Sequence, residues 1–239
     1  MPLWLILMAA NLSTDFSRHD QKLEFILRTS ARIFAEKSYH STSMREISRE
    51  TGVSLAGLYH YCKSKEELLF MIQDNCFGRV LERLEQRLSD TADPVQRLRV
   101  FIDNHLAFFA ANMAEMKVLS HEADSLAGDL HARVSGRKEK YTRLARKILG
   151  EVQQQSSKKG RQIDLTVATY ALFGMMNWIY NWYNPRGKLS VADLVDNVMC
   201  LFLTGFLNGP QDKALAFSAP ADAERLSVWR EPGMRSQGV

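Results

Sequence analysis

Proline placement constrains this chain more than any other feature, because a proline inside a helix removes a backbone hydrogen bond and clashes with the preceding turn. Six prolines occur, at Pro2, Pro94, Pro185, Pro210, Pro220 and Pro232, leaving two long proline-free runs over 3–93 and 95–184. Apolar residues in these runs recur on one helical face. Leu23, Ile26, Leu27, Ala31, Phe34 and Ala35 fall at i, i+3, i+4, i+8, i+11 and i+12, and Leu68, Ile72, Val80, Leu81, Leu84 and Leu88 keep a similar period. Further helices are predicted over Val95 to Asn112, about Glu115 to Leu126, about Leu130 to Gln155, Ile163 to Tyr183 and Val191 to Asn208. No period-2 strand competes with them, so the expected fold class is all-α.

Of the 239 residues 46% are hydrophobic and 24% charged, enough to build a sizeable core without covalent staples. Cys62, Cys76 and Cys200 are odd in number, far apart and in no C-x-x-C pair, which argues against a disulfide framework or a zinc ribbon and for a reducing cytoplasm. A net charge of only +4 means that any nucleic-acid affinity must come from local placement. The first ten residues are apolar but lack a basic lead and fall short of a membrane span, so neither a signal peptide nor a membrane partner is expected. A start at Met8, or a greasy arm docked on the body, accounts for them. From Gly209 onward three of the six prolines gather among small and polar residues, which predicts a disordered tail. The segment 153–160, rich in Gln, Ser and Lys and ending in Gly, is the clearest interior loop.

Between Ser41 and Leu69 the sequence reads STSMREISRETGVSLAGLYHYCKSKEELL. Ser43 with Glu46 and Ser64 with Glu67 form S-x-x-E capping boxes, and Ser54 caps the helix between them. Thr51-Gly52-Val53 supplies a tight turn, with Gly52 free to take the left-handed conformation. The unit is helix, short turn, helix. In such a unit the second helix, Leu55 to Tyr61, can lie in the DNA major groove. Ala56 and Gly57 let the backbone approach the duplex, while Tyr59, His60 and Tyr61 can offer polar groups to phosphates and base edges. Over Ser41 to Lys65, Arg45, Arg49, Lys63 and Lys65 against Glu46 and Glu50 give a net charge of +2.

The run T-S-M-R-E-I-S-x3-G-V-S-x-x-x-L-Y-x-Y-x-K-S-K-E-E-L-L resembles the DNA-binding region of TetR-family transcriptional regulators, and the match extends over roughly residues 20 to 80. The resemblance implies a double-stranded DNA operator as partner, contacted through Ser43, Arg45, Ser54, Ala56, Gly57, Tyr59, His60, Tyr61 and Lys65. Cys62 departs from the Phe usual there and removes apolar volume between the reading helix and the next.

The resemblance also implies that the helices after about residue 80 bind an effector and dimerise. Four units follow: an N-terminal arm at 1–19, a helix-turn-helix domain at 20–80, an effector-binding and dimerisation domain at 81–208, and a disordered tail at 209–239. The stretch Ile163 to Tyr183 is apolar on nearly every side and is expected to be buried all round, one face against a partner subunit. Val191 to Asn208 supplies the second half of a homodimer interface. Phe101, His105, Phe108 and Phe109 cluster in sequence, and Trp178 and Trp182 stand one helical turn apart, as walls for a small hydrophobic effector. The run from Trp178 to Ser190 resembles that of members controlling lipid or sterol breakdown in response to acyl-CoA thioesters, which adds Arg186 to the effector contacts. From His131 to Arg161, Arg133, Arg137, Lys138, Lys140, Arg143, Arg146, Lys147, Lys158, Lys159 and Arg161 stand against Glu139 and Glu151, a net of +8. This is a solvated basic face or a seat for coenzyme A phosphates.

Enzyme readings find no support. G-x-S-x-G, P-loop and Rossmann glycine patterns are absent, and His121-Glu122-x-Asp124 with Asp129-x-His131 lacks the spacing of a metal site. No catalytic residue, metal or cofactor is expected. The expected function is a ligand-responsive repressor released from a palindromic operator. The alternative is a helical ligand-binding or scaffold protein without sequence-specific DNA recognition.

Overall fold

The computed structural model describes residues 3–156 and 163–208, with 3–17 and 208 described by backbone alone, and all regular structure among them is helical. The tail expected at 209–239 lies outside the described residues, as do 157–160 of the 153–160 loop and most side chains of the 1–19 arm. The helices are α1 (Leu3–Lys37), α2 (Met44–Thr51), α3 (Leu55–Tyr61), α4 (Lys65–Leu88), α5 (Pro94–Ala111), α6 (Met113–His121), α7 (Gly128–Gln155), α8 (Leu165–Asn177) and α9 (Val191–Asn208).

Their boundaries follow local chemistry. Asp93 accepts from the Gln96 N–H, with Pro94 in the first turn of α5, where a missing N–H costs nothing. Asp164 accepts from Thr166 and Val167 at the start of α8, and Ser190 with Asp193 forms a reciprocal box at the start of α9. Two helices are shorter than their periodicity suggests. The segment expected to be helical from Ile163 to Tyr183 begins at Leu165, ends at Asn177 and tightens into a 3-10 turn, Trp178–Asn181. Asn184 then precedes Pro185, which disfavours helical backbone. The helix expected to reach Leu126 ends at His121, because Glu122 is committed to tertiary hydrogen bonds.

Two buried clusters organise these helices. One gathers Ile26, Ala31 and Phe34 of α1, Ile47 of α2, Leu58 of α3 and Leu68 and Ile72 of α4, together with Val118, Leu126 and Val134 from beyond them. The other gathers Val80 and Leu84 of α4, Leu98 and Ile102 of α5, Ile148 and Leu149 of α7, Leu172 and Met176 of α8 and Leu194 and Phe202 of α9. Helix α4 serves both, and its buried face passes from one cluster to the other between Ile72 and Val80.

In the single chain one side of the Ile163 to Tyr183 stretch is buried and the other lies outward, the side that the sequence reading gives to a partner subunit. Ala168, Leu172 and Met176 are buried, but Val167 and Tyr170 are each 63% exposed and Trp178 is 60% exposed. On α9 Leu201 is 69% exposed. Apolar side chains therefore lie outward on both helices, since one chain offers these helices only one packing side.

Gly52 ends α2 with φ 65° and donates its N–H to the Arg49 carbonyl. A Cβ added there would meet nothing within 4 Å, so the cost of Gly52→Ala is backbone strain alone. The variant is expected to lose about 1–2 kcal/mol of stability, read as a lower urea midpoint with an unchanged m value.

Candidate functional site

The turn between α2 and α3 is held by short polar side chains. Ser43 accepts from the Glu46 N–H at 3.2 Å, Ser54 from the Gly57 N–H at 3.1 Å and Ser64 from the Glu67 N–H at 3.0 Å. The two boxes close differently from a simple reciprocal pair. Glu46 turns its carboxylate to Lys37 of α1, and Glu67 accepts from the Lys63 N–H, one residue ahead of the cap. Ser48 donates to the Val53 carbonyl at 2.6 Å, fixing the turn from inside. Gly57 is required for packing, because a Cβ there would lie 3.0 Å from Val53 Cγ1 and 3.1 Å from Ser54 Oγ.

With Leu58 fully buried as the anchor of α3, the opposite side faces out. Ser43, Arg45, Ser54, Ala56, Tyr59 and His60 are exposed. Arg49 is drawn to Glu46 and Glu50, whereas Arg45 has no ion pair among the described residues. Tyr61 is half-buried, with its ring 4.8 Å from that of His19 on α1. Lys65 points inward. Its ammonium donates to the Tyr39 and Thr42 carbonyls, each at 2.8 Å, and lies 4.3 Å from the Tyr39 ring centre. Cys62 is buried and makes only a long Sγ contact of 3.6 Å to the Leu58 carbonyl; burial pushes its thiol up to about 11.

The turn after α1 is pinned from a distance. Glu122, just past α6 and 7% exposed, accepts from the Tyr39 N–H at 3.0 Å and from Ser125 Oγ at 2.8 Å. Its carbonyl accepts from the Gln73 amide of α4 at 2.9 Å. Next to it, His121 shares a hydrogen bond with the Tyr180 hydroxyl at 3.0 Å.

Tyr180 borders a cavity of about 390 Å³ lined by α4 to α8 and open on one side. Phe77, Phe109, Met116, Leu119 and Phe173 supply apolar wall, His105, Tyr141, Thr142 and Asn177 supply polar groups, and Lys138 and Trp178 also border it. His105 Nδ1 lies 3.1 Å from the Tyr141 hydroxyl, and Nε2 has no hydrogen-bond partner. Burial pushes the imidazole down to about 3, against an opposing hydrogen-bonding influence of the neighbouring Asn177 amide, and pushes the Tyr141 phenol up.

Of the effector residues expected from sequence, His105, Phe109 and Trp178 line this cavity, and Phe101 stands behind it, stacked on Tyr141 at 5.0 Å. Phe108 borders a smaller polar cleft with Glu24 and Arg79. Trp182, 54% exposed, and Arg186, in the exposed turn before α9, do not line the cavity. The 3-10 turn breaks the register that would have stacked Trp182 beneath Trp178. The basic face of α7 is partly paired: Arg137 with Asp74, Lys140 with Glu85 and Arg143 with Glu139, while Arg133 lies over the Phe70 ring, and Lys158, Lys159 and Arg161 lie outside the described residues. Tyr141, Asn177 and Glu122 were not legible as functional residues. Tyr141 shares a heptad stripe with Val134 and Ile148, so its pattern is that of core.

Among the described residues no three His, Cys, Asp or Glu side chains gather as a metal site, and no helix is long and apolar enough to cross a membrane.

Residues 26–72 match the family described as bacterial regulatory proteins, tetR family, and residues 91–206 match the tetracyclin repressor-like C-terminal domain. The chain is 25% identical over 187 residues to the fatty acid metabolism regulator protein of Bacillus subtilis, covering 77% of this chain and 94% of that protein. It is also 25% identical over 205 residues to the transcriptional repressor KstR2 of Mycolicibacterium smegmatis, covering 84% and 96%. Among solved structures, AibR in complex with isovaleryl coenzyme A and operator DNA is 31% identical with a TM-score of 0.67, covering 75% of this chain and 97% of AibR.

The buried imidazole gives the fold a defined acid sensitivity. An unfolded chain protonates His105 near its ordinary 6.5, whereas the folded chain holds it neutral down to about 3. Between those values the unfolded state binds the extra proton, so this residue destabilises the fold as pH falls below 6.5 and adds no slope above it. From pH 7 to pH 5 its share is about 2 kcal/mol. Urea unfolding at both values should show that loss, and His105→Gln should lack it.

Proposed function

The chain belongs to the tetR family of bacterial regulatory proteins, and from that premise we propose that it is a ligand-responsive transcriptional repressor released from operator DNA by an acyl-CoA thioester. The observation that carries this reading is the presence, in one chain, of an outward-facing α3 and a largely apolar cavity linked through the end of α6. AibR, solved with both a short-chain acyl-CoA and operator DNA, supports the pairing of those two ligands. The reading assigns no catalytic activity and a cytoplasmic location, where the chromosome is.

In this reading two copies join through α8 and α9, covering Val167, Tyr170, Trp178 and Leu201. Their α3 helices enter successive major grooves about 34 Å apart. Arg45, Ser43 and Ser54 meet phosphates, and Ala56, Gly57, Tyr59 and His60 approach base edges, with Tyr61 at the margin. Lys65 contributes by clamping the turn before α2. A ligand entering the cavity displaces the Tyr180 side, and His121 with Glu122 carries the shift to Tyr39 and the lead-in to α2. Domains at 20–80 and 81–208 fit this scheme, with α4 as the shared lever. A DNA-blind ligand-binding protein of the same fold is the competing reading, and an unpaired, exposed Arg45 beside α3 favours the regulator.

Fluorescence anisotropy of the dimer on its upstream DNA, titrated with acyl-CoA thioesters of increasing chain length, tests the proposal. Saturable release by a thioester and not by its free acid is expected; no shift of the DNA at all would favour the competing reading. Arg45→Ala should reduce the salt slope of DNA binding by about two, one phosphate for each of two copies. Glu122→Ala should still bind DNA and thioester separately, but the thioester should weaken DNA binding by less than half the wild-type factor.

A further inference from the structure

Among the described residues, His105 Nε2 is the one fully buried polar side-chain atom on the cavity lining without a hydrogen-bond partner. His105 is 2% exposed, its Nε2 has no partner in the protein, and around it stand the rings of Phe109 at 4.7 Å and Phe173 at 6.0 Å. A buried polar group without a partner is costly, and native proteins keep few of them without a reason. The Asn177 amide is the neighbouring side chain that acts on the ring by hydrogen bonding, though it does not reach Nε2 in full hydrogen-bond geometry.

The ring's other nitrogen decides what Nε2 can do. Tyr141 is itself buried, and His105 Nδ1 is the one hydrogen-bond partner its hydroxyl has among the described residues. A phenol sealed in apolar surroundings must spend its proton on an acceptor, so Tyr141 O–H donates to Nδ1. The neutral imidazole then carries its own proton on Nε2 and presents a donor.

From this geometry we infer that His105 Nε2–H selects effectors whose apolar body carries an uncharged carbonyl oxygen, and that Tyr141 positions the ring by fixing its tautomer. A carboxylate is disfavoured, because the surrounding wall of Phe77, Phe109, Met116 and Phe173 offers no cation deep in the cavity. The nearest cationic side chain on the lining, Lys138, is exposed. An acyl thioester satisfies both ends at once: the carbonyl pairs with His105 and the anionic head stays outside. The same chemistry is present in a neutral ester with no coenzyme. The inference deepens the acyl-CoA reading and rests on the cavity being the effector site.

Calorimetric titration of the full-length dimer separates the possibilities. The probes are octanoyl-CoA against its thioether octyl-CoA, which lacks the carbonyl, and methyl octanoate against methyl octyl ether. Wild type should bind the carbonyl compound of at least one pair about tenfold or more tightly, since a site built to bond an oxygen rejects analogues lacking it. His105→Phe should abolish that ratio, and His105→Gln, which retains an N–H donor, should restore part of it. Tyr141→Phe keeps the core shape and should lower the ratio without lowering thioether affinity; it decides the matter if His105→Phe does not fold. Equal affinity within both pairs in wild type, or a ratio that survives His105→Phe, overturns the inference. Discrimination in the ester pair with no binding of either CoA compound overturns the acyl-CoA reading and upholds His105 as the carbonyl reader.

Discussion

A buried carboxylate ties the turn that leads into the helix-turn-helix to the end of α6. Glu122 stands at the end of α6, where one oxygen takes the Tyr39 N–H, the other takes Ser125, and its backbone carbonyl takes Gln73 of α4. Without it the turn between α1 and α2 would have a buried N–H with no partner, a loss of about 1–3 kcal/mol. Lys65 completes the clamp from the other side by holding the Tyr39 and Thr42 carbonyls. The orientation of α2 and α3 relative to the cavity is thus set by these directional bonds acting on top of the apolar cluster that packs α1 to α4 against Val118, Leu126 and Val134. A directional joint suits a two-position lever, because a small displacement of α6 breaks or keeps these bonds as a group.

The cavity follows a complementary logic. Its walls are aromatic and thioether side chains, and its polar interior is a neutral histidine-tyrosine pair instead of an ion pair, so an uncharged ligand group can be recognised without the desolvation cost of a buried charge. The border is shared with the outward stripe of α8, since Tyr170 and Trp178 belong to both. Ligand occupancy and packing of a second copy on that stripe therefore act on the same side chains.

Legibility from sequence tracked the range of the interactions. The α2–α3 unit was readable almost residue by residue, because caps at Ser43, Ser54 and Ser64 and the left-handed Gly52 are local devices whose partners lie within four residues. Lys65 shows the limit even there. Its positive charge near the reading helix suggested a phosphate contact, yet its partners are carbonyls 23 and 26 residues away. For the cavity, sequence clustering brought His105 and Phe109 into view but also Phe108, which the helical twist turns to another cleft, and Trp182, which the 3-10 turn carries off the cavity wall. Tyr141 gave no signal, because an aromatic on a buried heptad stripe looks the same whether its hydroxyl is idle or bonded.

By itself the sequence determined an all-helical chain, the helix-turn-helix between Ser43 and Leu69 and the apolar character of the last two described helices. These depend on backbone propensity, capping and periodicity, all of which act over a few residues. The tertiary structure alone decided that Glu122 reaches Tyr39 across 83 positions, that Lys65 faces inward, and that His105 meets Tyr141 with one nitrogen left over. Those outcomes depend on which helix faces pack together. A one-dimensional period gives a helix its apolar face but not the polar atom that the neighbouring helix brings opposite it.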